Sequence, residues 1–248
     1  MASATVSSPE PAEGGSSIGR IFGAFFSPKA TFQSIAARPT WLAPLVALCL
    51  LQLAVTAVFT QRVGWRGFMQ KKDESNSRVQ QMTPEQQEHM LEVQTKVAPY
   101  FGYAIAVVGP IGGAVVVAAL YLAVFNLLCG ADIKFTTSLG IVAYSWVRGI
   151  LAALLGILII FIKDPSTVDL QHLIASNPGA FVSDESPKWL VALLTSLDIF
   201  VFWTLLLLAA GHSAANPKKI SYGKALGWVV AVWLIFVLFK TGAAAAFS

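Results

Sequence analysis

Charge is what this chain has least of. Only 12% of its 248 residues are Asp, Glu, Lys or Arg, against 56% hydrophobic. A water-soluble domain of this length needs a more heavily charged coat, so composition alone argues against one. Lys and Arg are scattered, giving a formal net charge of +4 without the basic tract that grips nucleic acid, and no nucleic-acid partner is expected. Cysteine is scarce too. Cys49 and Cys129 form no CxxC and have no histidine nearby, so they read as inert thiols, with lipidation of Cys129 unsupported. The three histidines are far apart, at 89, 172 and 212. His89 sits in Glu88-His89-Met90-Leu91-Glu92, which is not HExxH and reads as a solvated helix face. Asp164, Asp169 and His172 read as a solvated loop in the same way. Walker loops, GxGxxG and GxSxG are also missing. No catalytic, cofactor-binding or metal site is assigned, no cofactor is expected, and the chain reads as a non-enzyme.

What the chain does have is long apolar runs. Five are long enough to cross a bilayer, at about 41–60, 100–128, 136–162, 189–211 and 225–246. Twenty helical residues reach about 30 Å, the hydrocarbon thickness. The predicted fold class is therefore all-α: a polytopic membrane helix bundle of five transmembrane helices over residues 18–248. Residues 1–17, rich in Ser, Ala, Pro, Gly and Glu, are predicted to be a disordered tail. The first long apolar run starts only near residue 41, which argues against a cleaved signal peptide.

Between tail and first span, Ile21, Phe22, Phe25 and Phe26 share one side of a helix, and Ser27-Pro28 is a helix start. With Arg20, Lys29 and Arg38 interspersed, the segment predicts one or two short amphipathic helices. They either lie on the membrane surface or pack on the rest of the protein. Trp41 is placed as an interfacial anchor. Residues 61–97 form a polar loop in which Thr83-Pro84-Glu85-Gln86 is a capping box, so a helix should start near 84 and lead into the second span.

Inside the spans a few residues stand out. Gly109, Pro110 and Gly113 mark a kink, with the GxxxG pair allowing a second helix to approach closely. It is read as a packed kink in preference to a broken, binding-site helix. Arg148 and Asp198 are ionisable groups at similar depth on consecutive antiparallel spans, and are expected to form an ion pair. Lys240 is placed to snorkel, and Asn126 and Tyr144 to bond between helices. A basic loop follows the fourth span with His212, Lys218, Lys219 and Lys224. Its lysines are candidates for contact with anionic lipid. Being short and free of acids, this loop is expected inside, which puts the N-terminus inside and the C-terminus outside. The basic residues of 61–97 run against that assignment, although Asp73, Glu74, Glu85, Glu88 and Glu92 largely balance them.

Several segments resemble the Yip (Ypt-interacting protein) family of small polytopic membrane proteins, and its bacterial members in particular. They are Phe26-Ser27-Pro28-Lys29-Ala30-Thr31-Phe32 with Arg38-Pro39-Thr40-Trp41, the stretch Phe125–Trp146, and 197–211 followed by Ser221-Tyr222-Gly223-Lys224. The resemblance implies five helices, a cytoplasmic N-terminus and an outer C-terminus. Eukaryotic members are associated with vesicle traffic and Rab-type GTPases, a partner not carried over to a chain of bacterial type. The expected role is a membrane scaffold or adaptor of the bacterial inner membrane, with lipid and an unidentified protein as partners and oligomerisation left open. The alternative is a small transporter or channel built on Arg148 and Asp198.

Overall fold

The computed structural model describes residues 16–74, 76–165, 168, 173–183 and 186–246. Most of the tail expected to be disordered, and Asp169, His172, Asp184 and Glu185 of the loop after the third span, lie outside the described residues. Ser16 and Ser17 do not belong to the tail: Ser16 caps a helix, its hydroxyl accepting from Gly19 N at 3.1 Å.

That helix is α1 (Ser17–Phe26), followed after one residue by α2 (Pro28–Ala37), with proline in its first turn where the lost N–H costs nothing. The first span is α3 (Leu42–Arg62). Residues 61–97, polar by composition, are largely helical: α4 (Trp65–Glu74), the single turn α5 (Ser77–Gln80) and the start of α6 (Pro84–Ala123). The capping box forms as expected, with Thr83 Oγ1 accepting from Gln86 N and Gln86 Oε1 accepting from Thr83 N. Forty residues of α6 extend about 60 Å. That is twice the hydrocarbon thickness, so its polar first turns project beyond the bilayer. There α4 packs on it through Trp65, whose ring is what a Cβ on Gly102 would meet at 2.8 Å, with Arg66 and Glu88 paired at 2.8 Å on the surface. Glu88 holds the exposed Arg66 guanidinium above its ordinary pKa through that bond and its charge.

A π-turn at Val124–Leu128 ends the second span. Then come α7 (Phe135–Ser145) and α8 (Arg148–Ile162), the two halves of the third span, and α9 (Lys188–Leu194) and α10 (Ile199–Ala215), bent by 51°. The last span is α11 (Tyr222–Ala246). Among the described residues four spans pass on length and hydropathy alone, and the bent α9–α10 pair, taken as one span, makes a fifth.

Between 11 and 28% of the apolar window of each of these four spans is buried inside the protein, so most of that surface needs hydrocarbon around it. On α11 the outward residues include Leu234, Ile235, Phe236, Leu238 and Phe239. The protein's own core centres on α7, buried from Thr137 to Ser145 and packed by α1, α2, α3, α6 and α10.

Candidate functional site

Segments far apart in sequence, α1, α2, α7 and α10, meet in one half of the bundle. α2 is built into that half, packed on α7 and α10, so the amphipathic segment packs on the protein in preference to lying free on a surface. Phe32 and Ile35 are fully buried. They are accepted because the helices they face carry glycine. A Cβ on Gly211 of α10 would overlap Ile141 Cγ2 and sit 3.0 Å from Phe32 Cδ1. A Cβ on Gly140 of α7 would stand 2.9 Å from the Thr40 carbonyl oxygen and 3.2 Å from Ile35.

Hydrogen bonds fasten α1 to the same junction. Arg20, 6% exposed, donates from Nη1 to the Arg38 carbonyl at 2.9 Å and to Thr40 Oγ1 at 3.0 Å. The Tyr144 hydroxyl reaches Thr40 Oγ1 at 3.2 Å and donates to the Ser17 carbonyl at 3.3 Å. Tyr144 thus bonds between elements as expected, joining α7 to the N-terminal helices. Phe25 meets Trp203 of α10 edge-on at 5.3 Å, while Ile18, Phe22 and Phe26, one per turn, are exposed.

Below this junction the loop 129–134 is clamped to the loop 216–221. Asn126 closes the first loop on itself: Nδ2 donates to the Ile133 carbonyl at 2.9 Å and Oδ1 accepts from Ile133 N at 2.8 Å. The turn needs two left-handed residues, supplied by Gly130 (φ 58°) and Asp132 (φ 55°), since aspartate tolerates that conformation better than most side chains. Asn216 donates to the Ala131 carbonyl at 2.6 Å and Lys219 Nζ to the Gly130 carbonyl. Lys134, Lys218 and Lys224 are exposed, and Lys224 Nζ donates to the Lys219 carbonyl at 3.5 Å.

His212 is not part of the basic loop. It lies in α10 and is fully buried, stacked on Phe125 at 4.6 Å and beside Tyr121 at 5.4 Å. Nδ1 donates to the Leu208 carbonyl at 2.9 Å, which leaves Nε2 facing Ser138 Oγ at 3.4 Å. A single polar residue ending an apolar run reads as a boundary. The signal that places it inside is the small-residue run Ala209-Ala210-Gly211 just before it, which lets neighbours close around the helix.

The opposite half holds the other intramembrane charges. Asp198 does not sit mid-helix. It occupies the break between α9 and α10 as N-cap, with extended φ/ψ, Oδ1 accepting from Phe200 N at 2.8 Å and Val201 N at 3.2 Å. Oδ2 accepts from the Ser176 hydroxyl. The expected ion pair with Arg148 is not formed: no salt bridge joins the two side chains, and both Asp198 oxygens are taken by the helix-start amides and Ser176. Arg148 opens α8, is largely buried, and has no hydrogen-bond partner for Nε. Lys240 donates to Thr195 Oγ1 at 3.1 Å and Ser196 Oγ at 3.2 Å, beside the same break.

The Gly109-Pro110-Gly113 stretch is continuous helix within α6, which also carries Pro99. Gly113 faces the break between α7 and α8, where a Cβ would stand 2.9 Å from Trp146 Cη2. Gly109 meets only Ile105 of its own helix, at 3.7 Å. Cys49 donates weakly to the Val107 carbonyl at 3.6 Å, and both cysteines are free thiols.

Apolar spans, a bent fourth span and a glycine-lined junction define a multi-pass α-helical membrane protein. The Yip1 domain model matches residues 22–243, nearly the whole chain, and the chain belongs to that family. The match begins within α1 and ends within α11, leaving out of the elements described above only residues 17–21 and 244–246. No curated protein and no solved structure matches the chain.

Proposed function

We propose that this Yip1-domain protein is a non-enzymatic membrane scaffold or adaptor. In this reading the N-terminal helices and the lysine loop face the cytoplasm of a bacterial cell, and the C-terminus lies outside. The observation that carries it is the junction at Tyr144. Dispersed segments are spent on holding α1 and α2 in place, which leaves Ile18, Phe22 and Phe26 presented as an exposed apolar face. The lysine loop adds a surface suited to anionic lipid or an acidic partner. The short, acid-free loop 212–224 supports its cytoplasmic placement.

The test is capture. A tagged copy is photo-crosslinked in its native membrane from position 22 and from position 218, and the products are identified. A reproducible protein or lipid partner that is lost on neutralising Lys218 and Lys219 supports the scaffold. Recovery of the uncrosslinked protein alone from both positions contradicts it.

A second reading is favoured by one observation, the 51° bend between α9 and α10, with Asp198, Arg148 and Lys240 gathered near it. Discontinuous spans with polar groups at the break occur in transporters. Solute or ion flux in proteoliposomes that falls on Asp198→Asn supports transport. Without such flux, the charges of Arg148 and Asp198 are proposed to fix the register of α8 against α10.

A further inference from the structure

A groove of about 690 Å³ runs between α1 and α3. Its α3 side is formed by Ala43, Val46, Ala47 and Leu50, spaced i, i+3, i+4, i+7 on one face, the two alanines leaving the depth. Ile18 and Ile21 of α1 form the facing wall. Only one end is polar. There Ser17 and Thr40 both bond the Tyr144 hydroxyl, and Thr40 also accepts from Arg20. From Thr40 to Leu50 is about 15 Å along the helix. The groove therefore has the outline of an amphiphile: a polar end, then an apolar channel.

Its position and charge narrow the occupant. α3 is a membrane span, and Ile18, Leu42 and Leu50 are more than 60% exposed, so the groove opens onto lipid. No Asp or Glu occurs between Glu13 and Asp73, whereas Arg20, Lys29 and Arg38 all fall in the N-terminal helices or at their ends. The exposed Arg38 side chain follows directly from the backbone that Arg20 holds at the polar end. Arg20 itself keeps an unpartnered, buried Nε. An extended peptide would gain little here, because both walls are helices whose backbone groups are already paired. We propose that the groove holds one acyl chain of an anionic membrane phospholipid, its phosphate placed at the Arg20–Arg38 end. This rests on the membrane-protein fold and stands independently of the scaffold reading.

The probe is phosphatidylglycerol carrying a diazirine in one chain, incorporated at low mole fraction into nanodiscs of phosphatidylcholine around the full chain. After illumination, labelled peptides are mapped. We expect labelling of 42–50 to saturate with mole fraction while labelling of 234–239, on the outward face of α11, rises linearly. The same diazirine chain on phosphatidylcholine should label 42–50 about fivefold less, the selectivity that one or two basic residues confer. Ala47→Trp fills the channel and should remove only the 42–50 label, with the thermal melt unchanged. Should that variant not fold, Arg38→Gln, at an exposed position, should abolish the headgroup preference instead. Linear labelling of 42–50, or equal labelling by the two lipids, overturns the proposal. So does labelling that emerges only after residues 1–15 are trimmed, since the groove then belongs to the chain's own N-terminus.

Discussion

The hydroxyls of Tyr144 and Thr40 lie 3.2 Å apart across 104 residues of sequence. One belongs to the middle of the third span, the other to the entrance of the first. Because Tyr144 also bonds the Ser17 carbonyl, one side chain registers three parts of the fold. Tyr144→Phe keeps the ring and removes both bonds. We expect a loss of about 1 kcal/mol, the usual worth of such hydrogen bonds, read as a lowered Tm in detergent. Because Arg20 still holds Thr40, complete unfolding would show that the hydroxyl does more than these two bonds.

The glycines of the core and of the second span should respond in opposite ways. Gly211→Ala pushes a methyl into Ile141 and Phe32, both fully buried, and should cost about 1–3 kcal/mol as overpacking. Ile141→Val added to it should restore part of the loss, because the two sites share one contact. Gly109→Ala meets only Ile105 of its own helix, at van der Waals distance, and should be neutral or stabilising by up to about 1 kcal/mol from helix propensity. Thermal melts of the three variants decide it. Equal losses at both glycines would contradict the packing described.

Asp198 separates a cap from a charge partner. Asparagine caps as well as aspartate, so Asp198→Asn should keep the fold near wild type, and Asp198→Ala should lose about 1–2 kcal/mol. If the carboxylate's main role is instead to balance Arg148, the two variants fall together. Chemical denaturation in mixed micelles reads the difference.

The surface ion pair between α4 and α6 should matter little. Arg66 and Glu88 are both more than half exposed, and Glu88→Gln should change stability by less than about 0.5 kcal/mol. A large loss would mean that this pair, and not the aromatic cluster of Phe59, Trp65 and Phe68, anchors the projecting helices.

Much of this architecture is legible from hydropathy. Five apolar blocks, the Ser27-Pro28 start and the Thr83 capping box all stand where the chain's local chemistry puts them. The breaks inside spans are not legible in the same way. A window average over 189–211 absorbs Asp198 into one apolar run, although Asp before Ile-Phe-Val-Phe is a plain helix-start signal. Trp146 and Val147 carry no turn residue, and the break there is set by packing: Gly113 admits the indole. The polarity of 61–97 hides α4, whose apolar residues are confined to one short stripe, Trp65, Phe68 and Met69, that packs on Phe59 and a neighbouring helix. His212 shows the same limit, since its burial depends on Phe125 and Ser138 from other spans.

The central claim is that α2 is an integral part of the bundle and thereby fixes the exposed face of α1. Hydrogen–deuterium exchange, run in nanodiscs and again in detergent, tests it most directly. Amides of 28–37 should exchange as slowly as those of 135–145 in both media, because Phe32 and Ile35 are locked against Gly211 and Gly140. Fast exchange of 28–37 in detergent, with 135–145 still protected, would show a helix held by the bilayer surface and would contradict the account.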